Sequence, residues 1–577
     1  MRKIINDPEH FVDEVIDGIL LAHPDRLRAV GGDRRALVRR DAGTGGRVGI
    51  VTGGGSGHLP LFLGYVGRGL ASGVAVGNVF SSPSPQQVHR ATLASDDGAG
   101  VLYLYGNYGG DVYTFDLGAD LSAADGVRTT TVVGTDDLLS APADRADTRR
   151  GVAGLFFAYK TAGAAAERGD DLDAVTEIAQ RTCDRTRTMG VGLSPTILPA
   201  AGQPTFTLGE GEMEIGIGIH GEPGQHRGPL ETADQITDRF LAELLEELPV
   251  ATGDRVAVLV NGLGATPLEE LYVIYRRMHR VLTERGTQIA HVYIGEYATS
   301  LEMAGASVSL CHLDDELSDL LAAPADSPFF EQAAGTRARH DGAGAGEADE
   351  PTPAPGGEGG GEGEVRTIRT VADPGPLREL LLAVTVRLPR HRDELRALDA
   401  ALGDGDLGIT VAAGAEAVHE ALDALPVGAA ADEVLRAAGT AFASANPSTF
   451  AALIGGASLA AAEAAGDRLD AHTLPAVLDA VIARIAERGG AHAGDKTVLD
   501  VLYAVRASVD DASGTPAERA HRAREAAQQT VTTFADKPSR RGRAAWVGER
   551  SVGHQDPGQV AALRFLDELC AVLDRDA

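Results

Sequence analysis

An α/β unit followed by an all-helical one is the fold class the sequence predicts, on three observations. Over residues 1–334 short apolar runs alternate with amphipathic stretches. From 335 to 364 the chain turns into Gly, Pro and Glu with almost nothing to bury. From 365 to 577 Ala- and Leu-rich segments succeed one another with helical periodicity. A chain of 577 residues is also too long for a single hydrophobic core.

In the first unit GRVGIVTGG, GAGVLYLYGN, RTTTVVGT, DRVAVLVNG and IAHVYIGE read as buried strands, and LEELYVIYRRMHRVLTE reads as a helix. Two α/β subdomains are expected, dividing between the helical stretch after Gly151 and GVGLSPTILPA. The tract ARHDGAGAGEADEPTPAPGGEGGGEGE reads as a flexible interdomain linker, with an ordered surface loop as the alternative. In the second unit LRELLLAVTVRL, ADEVLRAAGTAFA, LPAVLDAVIARIAERGG and VAALRFLDELCAVLD read as helices, and no segment reads as a strand. The polar motifs of that unit fall in its loops.

A formal net charge of −31 argues against a nucleic-acid partner, because a polyanion selects clustered Lys and Arg. It also means that an anionic phosphate substrate needs local cations. The cysteines, Cys183, Cys311 and Cys570, form no CxxC pair, so neither a disulfide framework nor a thiolate zinc site is indicated. The opening MRKIINDPEHFVDEV has no apolar signal region, and no apolar run reaches membrane-spanning length. A cytoplasmic protein with no membrane partner is the expectation.

Chemistry is concentrated in a few segments. LDAALGDGDLGIT places Asp399, Asp404 and Asp406 in a Gly-rich loop after a helix. Their spacing does not put three carboxylates on one helix face, so a bent loop must converge them if they act together. Converged carboxylates repel unless a cation neutralises them, and a hard divalent ion such as magnesium would in turn bridge nucleotide phosphates. A solvated Asp/Gly loop or a calcium turn remains the alternative. IGGASLA, with Ser458 after Gly455 and Gly456, is read as offering backbone N–H groups and a helix N-terminus to a phosphate. GDKTVLD and GRAAWVGERSVGHQDPG add Asp495, Lys496, Thr497, Arg543 and Asp556 at further helix ends, where capping alone would account for them.

In the first unit TGGGSGHLP lacks both the GK[ST] ending of a Walker loop and the spacing of a dinucleotide turn. Its glycines bring backbone close to something small, and His58 sits where a loop leaves a sheet. In EMEIGIGIHGEPG strand alternation predicts Ile215, Ile217 and Ile219 on one face and Gly216, Gly218 and His220 on the other. That face leaves room for a ligand beside an imidazole able to act as base or nucleophile, although a hydrogen-bonded structural histidine fits the segment equally.

Taken in order, NDPEHFVDEVIDGILLAHPD, VTGGGSGHLPLFLGYVG, GNVFSSPS, IHGEPG, GDGDLG, GGAS, GDKT and GERSVGHQDPG resemble the dihydroxyacetone kinase family in its single-chain form. The resemblance covers essentially the whole chain apart from the linker. It implies a ketose-binding α/β domain joined to a helical-barrel nucleotide domain, and it implies site residues. The nitrogen of His220 would add to a substrate carbonyl as a covalent hemiaminal, which a ketone can form and glycerol cannot. His58 and Asp111 would lie by the hydroxyl to be phosphorylated, one or the other helping to remove its proton, and Gly55, Ser56 and Gly57 would bound the pocket. Asp399, Asp404 and Asp406 would hold two magnesium ions bridging the phosphates of ATP. Gly405, Leu407, Gly408, Gly456, Ala457, Ser458, Thr497, Arg543, Asp556 and Gly558 would surround the nucleotide. The resemblance further implies a homodimer in which one chain's helical domain covers the other's ketose site.

Two departures from the family pattern stand out. The segment the family commonly writes KNYTGD runs here from Gly106 to Asp111 as GNYGGD, so Gly106 replaces a lysine. The lost volume points to a four-carbon ketose such as erythrulose beside dihydroxyacetone; a different loop path is the other reading. Leu407 stands where His or Cys is common, outside the three expected ligands. Two other functions compete with the kinase: a lyase making a cyclic product from FAD, and a non-catalytic ketose sensor.

Overall fold

The computed structural model describes residues 3–200, 202, 204–333, 368–371, 375–402, 406–446, 448–509, 513–541 and 551–575, so the linker tract lies outside the described residues. Two compact units make up the chain, one built on Met1–Thr336 and the other on most of the residues C-terminal to Thr336.

The elements of the first unit begin with α1 (Phe11–Ala22), β1 (Leu27–Val30), β2 (Asp33–Arg39), β3 (Gly49–Ser56), β4 (Gly73–Val79), α2 (Pro85–Ser95), β5 (Val101–Gly106), α3 (Gly109–Ala124) and β6 (Thr129–Gly134). After α4 (Leu155–Arg168) and α5 (Leu172–Asp184) come β7 (Thr186–Gly192), β8 (Glu212–Ile215), β9 (His226–Pro229), α6 (Ala233–Glu247), β10 (Arg255–Gly262), α7 (Leu268–Glu284), β11 (Gln288–Gly295), β12 (Gly305–Leu313) and α8 (Asp315–Ala322). The first sheet runs in the order β1-β2-β4-β3-β5-β6, with β4, β3, β5 and β6 parallel. The second runs β11-β10-β12-β7-β8-β9 and is mostly antiparallel. The chain therefore changes sheets across α4 and α5.

Burial explains why the apolar runs form these elements. All six residues of β5 are buried, as a parallel strand covered on both faces requires. Helix α4 is buried on every side from Leu155 to Ala166, because a single apolar cluster joins its Phe156 and Phe157 to Leu102 and Leu104 of β5 and to Ala257 and Leu259 of β10. One charged side chain is trapped in it. Lys160 donates from Nζ to the Ala323 carbonyl at 2.6 Å, and burial pulls its pKa down to about 8. Helix α7 spans the segment expected to be helical and buries Leu271, Ile274, Met278 and Leu282 at helical spacing.

One strand expectation fails. β8 ends at Ile215, because Gly216 takes φ +81°, a left-handed conformation outside any ladder. Ile215, Ile217 and Ile219 do not share a face. Each is buried in a different apolar cluster, so the alternation that resembled a strand is an irregular segment turning between three cores. Residues 216–220, His220 included, are presented by a turn.

The second unit consists of α9 (Leu377–Thr385), α10 (Arg392–Leu402), α11 (Leu407–Asp423), α12 (Ala431–Ala445), α13 (Thr449–Ala465), α14 (Leu474–Gly489), α15 (Val498–Ser508), α16 (Pro516–Phe534) and α17 (Pro557–Leu573). No strand occurs in it among the described residues. Among the described residues of the whole chain no helix is long and apolar enough to cross a membrane.

The loop after β6, which leads into the candidate site, is anchored by a buried cation. Arg149 is 1% exposed, donates from Nε to the Ala141 carbonyl at 2.8 Å and pairs through both terminal nitrogens with Glu247 of α6 at 2.7 and 2.6 Å. Arg149→Met leaves the Ala141 carbonyl without its donor and Glu247 with Arg187 alone. The variant should lose about 3 kcal/mol and several degrees in the melting of the α/β unit, read by thermal unfolding.

Candidate active site

The loops at the C-terminal ends of the parallel strands converge, as ligand-binding loops of open α/β sheets do. The loop after β3 supplies His58, the end of β4 leads to Phe80, and the β5–α3 junction carries Tyr108 and Asp111. The loop after β6 carries Asp137 and Arg150, and the turn after β8 brings His220 and Glu222 from the second sheet. His58 and His220 meet edge to face with ring centroids 4.7 Å apart. Phe80 stacks on His58 at 4.8 Å and 9°, and the Phe80 and Tyr108 rings stand edge-on to His220 at 5.1 and 4.7 Å.

Close backbone approach makes this possible. Gly57 has φ +102°, and a Cβ there would stand 2.7 Å from the Phe80 ring; a Cβ on Gly55 would stand 2.7 Å from the Ser81 nitrogen. Ser56 donates from Oγ to the Gly77 carbonyl at 2.8 Å, tying the β3 loop to β4. Phe80 itself has φ +55°, a strained backbone for an aromatic residue, held in place by its N–H bond to the Ser56 carbonyl at 3.0 Å.

The two histidines are held in defined tautomers. His58 Nδ1 lies 2.9 Å from the Thr299 carbonyl, which only accepts, so Nδ1 carries the proton and Nε2 a lone pair. That Nε2 is buried without a partner. Burial, helped by the neighbouring His220, pulls the His58 pKa down to about 3. His220 is reachable, with its side chain 22% exposed. Its Nδ1 lies 2.9 Å from Glu222 Oε1, and its backbone N–H donates to Glu222 Oε2 at 2.9 Å. Burial opposes ionisation of Glu222, but the His220 imidazole and the Arg150 guanidinium, 3.7 Å away, outweigh it and hold the carboxyl below the usual range. Nδ1–H therefore donates to a carboxylate, and Nε2 of His220 is left as the nucleophilic nitrogen. Arg150 in turn donates to Asp137 at 2.8 Å and to the Gly216 carbonyl at 3.2 Å.

Asp111 lies in the first turn of α3, where the helix dipole favours a carboxylate. Burial wins nonetheless and pushes its pKa up to about 6, against a hydrogen bond from Ser82. One of its oxygens, Oδ1, is buried without a partner, as is the Tyr108 hydroxyl. His58, Asp111 and His220 thus come together with Gly55, Ser56 and Gly57 behind them. A cavity of about 130 Å³ adjoins, lined by the glycine loop with His58 and Thr299 and by Phe11, Val12, Ile16 and Phe62. His220 and Asp111 do not line it, and its apolar walls do not suit a polyhydroxylated ligand. Phe80, Tyr108, Arg150, Glu222 and Thr299 have no role in the sequence reading. Glu222 lies two residues from His220 within the IHGEPG segment, whereas Thr299, far along the chain, carries no sequence signal.

In the helical unit Asp399 of α10 and Asp406, just before α11, lie close to one another. Asp399 Oδ2 accepts from the Leu407 N–H at 3.0 Å, and Asp406 precedes the first residue of α11. Burial pushes the Asp406 carboxyl up, and the Asp399 charge adds to it. Gly408 has a packing reason: a Cβ there would stand 2.1 Å from the Arg392 carbonyl oxygen. Two repelling carboxylates with oxygen donors only are a set that a hard cation such as Mg²⁺ fits. Asp404, Gly405 and Arg543 lie outside the described residues; among those described, no three His, Cys, Asp or Glu side chains form a metal cluster.

Thr497 and Asp556 are also neighbours. Each caps a helix, α15 and α17, and Gln559 joins them by donating to the Thr497 carbonyl at 3.1 Å. Asp556 is buried, which pushes its pKa up to about 7, and Gly558 comes two residues later in the first turn of α17. Lys496, wholly buried, donates to the carbonyls of Ala535, Lys537 and Ser551 and so ties these three residues together. The GGAS reading needs correction: Gly456, Ala457 and Ser458 lie inside α13, not at a helix start. Their neighbours are good helix formers, so the helix runs through the glycines, and Ala457 packs in a core cluster with Ile482, Ile485 and Leu499.

Residues 17–329 match the Dak1 domain and residues 401–571 the DAK2 domain. An L-erythrulose kinase of Pectobacterium atrosepticum is 36% identical over 100% of this chain and 97% of its own. A D-erythrulose kinase of Mycolicibacterium smegmatis is 37% identical over 97% of this chain and 96% of its own. The crystal structure of the dihydroxyacetone kinase from C. freundii in complex with AMP-PNP and Mg²⁺ superposes with TM-score 0.53 at 26% identity, covering 99% of each chain.

The tautomers are open to direct measurement. In ¹⁵N-labelled protein His58 should remain neutral and Nδ1-protonated between roughly pH 5 and 8, where a solvent-exposed histidine titrates. A His58 that gains its charge in that window would contradict both its burial and its bond to Thr299.

Proposed function

The chain belongs to the dihydroxyacetone kinase family and is an ATP-dependent kinase of a small ketose; on that premise we propose that it phosphorylates a terminal hydroxyl of erythrulose, or of dihydroxyacetone, held as a hemiaminal on His220. The observation that carries this reading is the pairing of a reachable His220, its Nδ1–H given to Glu222, with the buried, unpartnered His58 Nε2 and Asp111 Oδ1 beside it.

In the proposed chemistry His220 Nε2 bonds the carbonyl carbon and the C=O π pair moves to oxygen, which takes up a proton from the solvent that reaches this part-exposed ring. The positive charge left on the imidazole is balanced by Glu222, already ionised and hydrogen-bonded to the ring. Only a carbonyl compound reacts in this way, so capture selects against glycerol by chemistry rather than by size. The terminal hydroxyl then faces His58 and Asp111. With a pKa of about 6 against about 3, Asp111 is the better proton acceptor, and His58 orients the hydroxyl through its lone pair.

The helical unit supplies the donor site. Asp399 and Asp406, with Asp404, would hold two Mg²⁺ ions, which when bound neutralise the triphosphate and polarise the transferring phosphoryl group. Thr497, Arg543, Asp556 and Gly558 are among the groups assigned to the nucleotide. Naming erythrulose rather than dihydroxyacetone as the favoured substrate rests on full-length similarity to erythrulose kinases; the room expected at Gly106 is taken by the Tyr108 ring, 3.2 Å from where a Cβ would stand.

A coupled assay with ATP, magnesium, dihydroxyacetone and each erythrulose enantiomer tests the whole. Folded protein that phosphorylates none of them overturns it. His220→Ala should abolish phosphorylation while nucleotide affinity, measured by calorimetry, stays within a factor of about two. As the proton acceptor must be ionised, kcat/KM should fall as pH drops through about 6, and Asp111→Asn should remove that limb together with most of the rate. Asp399→Asn should weaken magnesium-dependent nucleotide binding by about tenfold or more.

A further inference from the structure

The buried polar atoms without partners around His220 include one that the proposed chemistry leaves idle. His58 Nε2 and Asp111 Oδ1 receive the reacting hydroxyl, but the Tyr108 hydroxyl, buried and equally unpartnered, takes no part in it. A buried hydroxyl normally finds a hydrogen bond, and one that has none beside a reactive group is a place for a ligand's polar atom. Tyr108 stands at such a place, with its ring edge-on to His220 at 4.7 Å and 89°. The charges of Glu222 and Arg150 both act on its hydroxyl, which therefore sits in the same polar interior. Burial keeps the phenol protonated, able both to donate and to accept.

The position of the Tyr108 ring depends on Gly106. A Cβ on residue 106 would lie 3.0 Å from the Gly151 carbonyl oxygen and 3.2 Å from the Tyr108 ring, so the space a side chain would take there is filled by the tyrosine. The absence of a side chain at 106 thus does not leave an open hole; it lets Tyr108 settle against His220.

We propose that the Tyr108 hydroxyl hydrogen-bonds the non-reacting, hydroxylated end of the captured ketose, making Tyr108, seated by Gly106, the residue that selects ketoses bearing a hydroxyl on that side of the carbonyl. The proposal rests on the ketose-kinase reading. A site built to pair a hydroxyl rejects an analogue lacking it, because its own polar group is then left buried and unpaired.

Hydroxyacetone is the probe, since it keeps the carbonyl and one terminal hydroxyl and carries a methyl group at the other end. The full-length enzyme should prefer dihydroxyacetone or erythrulose over hydroxyacetone in kcat/KM. Tyr108→Phe should lower kcat/KM for the hydroxylated ketoses by about tenfold, mainly through KM, and change hydroxyacetone by less than about twofold, so that the preference collapses. A Tyr108→Phe enzyme that loses all three substrates in proportion would show that the tyrosine only buttresses His220, and one that keeps the wild-type preference would show that the hydroxyl binds nothing; either overturns the proposal. Wild-type enzyme inactive on every ketose would instead refute the functional reading beneath it.

Discussion

Glu222 makes two hydrogen bonds to one residue, the backbone N–H and the ring Nδ1–H of His220, and the arrangement of the candidate site depends on that pair. The chain needs such a clamp there. β8 has ended at Ile215, so the turn that presents His220 has no strand ladder to define it. Polar side chains replace the ladder: Glu214 accepts the Gly224 N–H at 2.7 Å, and Arg150 holds the Gly216 carbonyl and the outer side of Glu222. Buried charge is costly: Arg150 helps His220 keep Glu222 ionised, whereas burial pushes the Asp137 carboxyl up to about 7 despite its bond from Arg150. The same electrostatics that lets the carboxylate remain ionised fixes the imidazole tautomer and so the nitrogen that faces a ligand.

His58 is oriented by the opposite means. It has no charged partner, only a backbone carbonyl and a stacked Phe80, in surroundings dry enough to keep it neutral. Two histidines with centroids 4.7 Å apart thus differ in character because one faces an ion pair and the other an apolar wall. The strained backbone of Phe80 belongs to the same arrangement, since its ring has to lie flat on His58 across a loop stripped to glycine.

Much of this was legible in the sequence where a local rule sufficed. The strand runs around Ile50, Val101 and Val258 are continuous and apolar, and they form strands because covered central strands need both faces buried, whereas those around Thr130 and Val292 are half-exposed edge strands. Helix α7 is predicted by period alone. The alternation at Ile215, Ile217 and Ile219 misled, since a two-residue period in an irregular turn between three cores looks the same as one in a strand. The GGAS segment misled for a related reason: glycines that suggest a loop are carried through a helix when their neighbours propagate it.

The sequence by itself determined the two kinds of unit and singled out the candidate side chains, because apolar period is a local property and His220, His58, Asp111, Asp399 and Asp406 each sit in a short, distinctive segment. Tertiary structure alone decided what those side chains can do. Thr299, 241 residues from His58, selects its tautomer, and Glu222 is kept ionised against burial by His220 and by Arg150, which comes from another sheet's loop. Proton affinity and tautomer depend on burial and on charges brought together by folding, and neither is carried by the residues next in sequence.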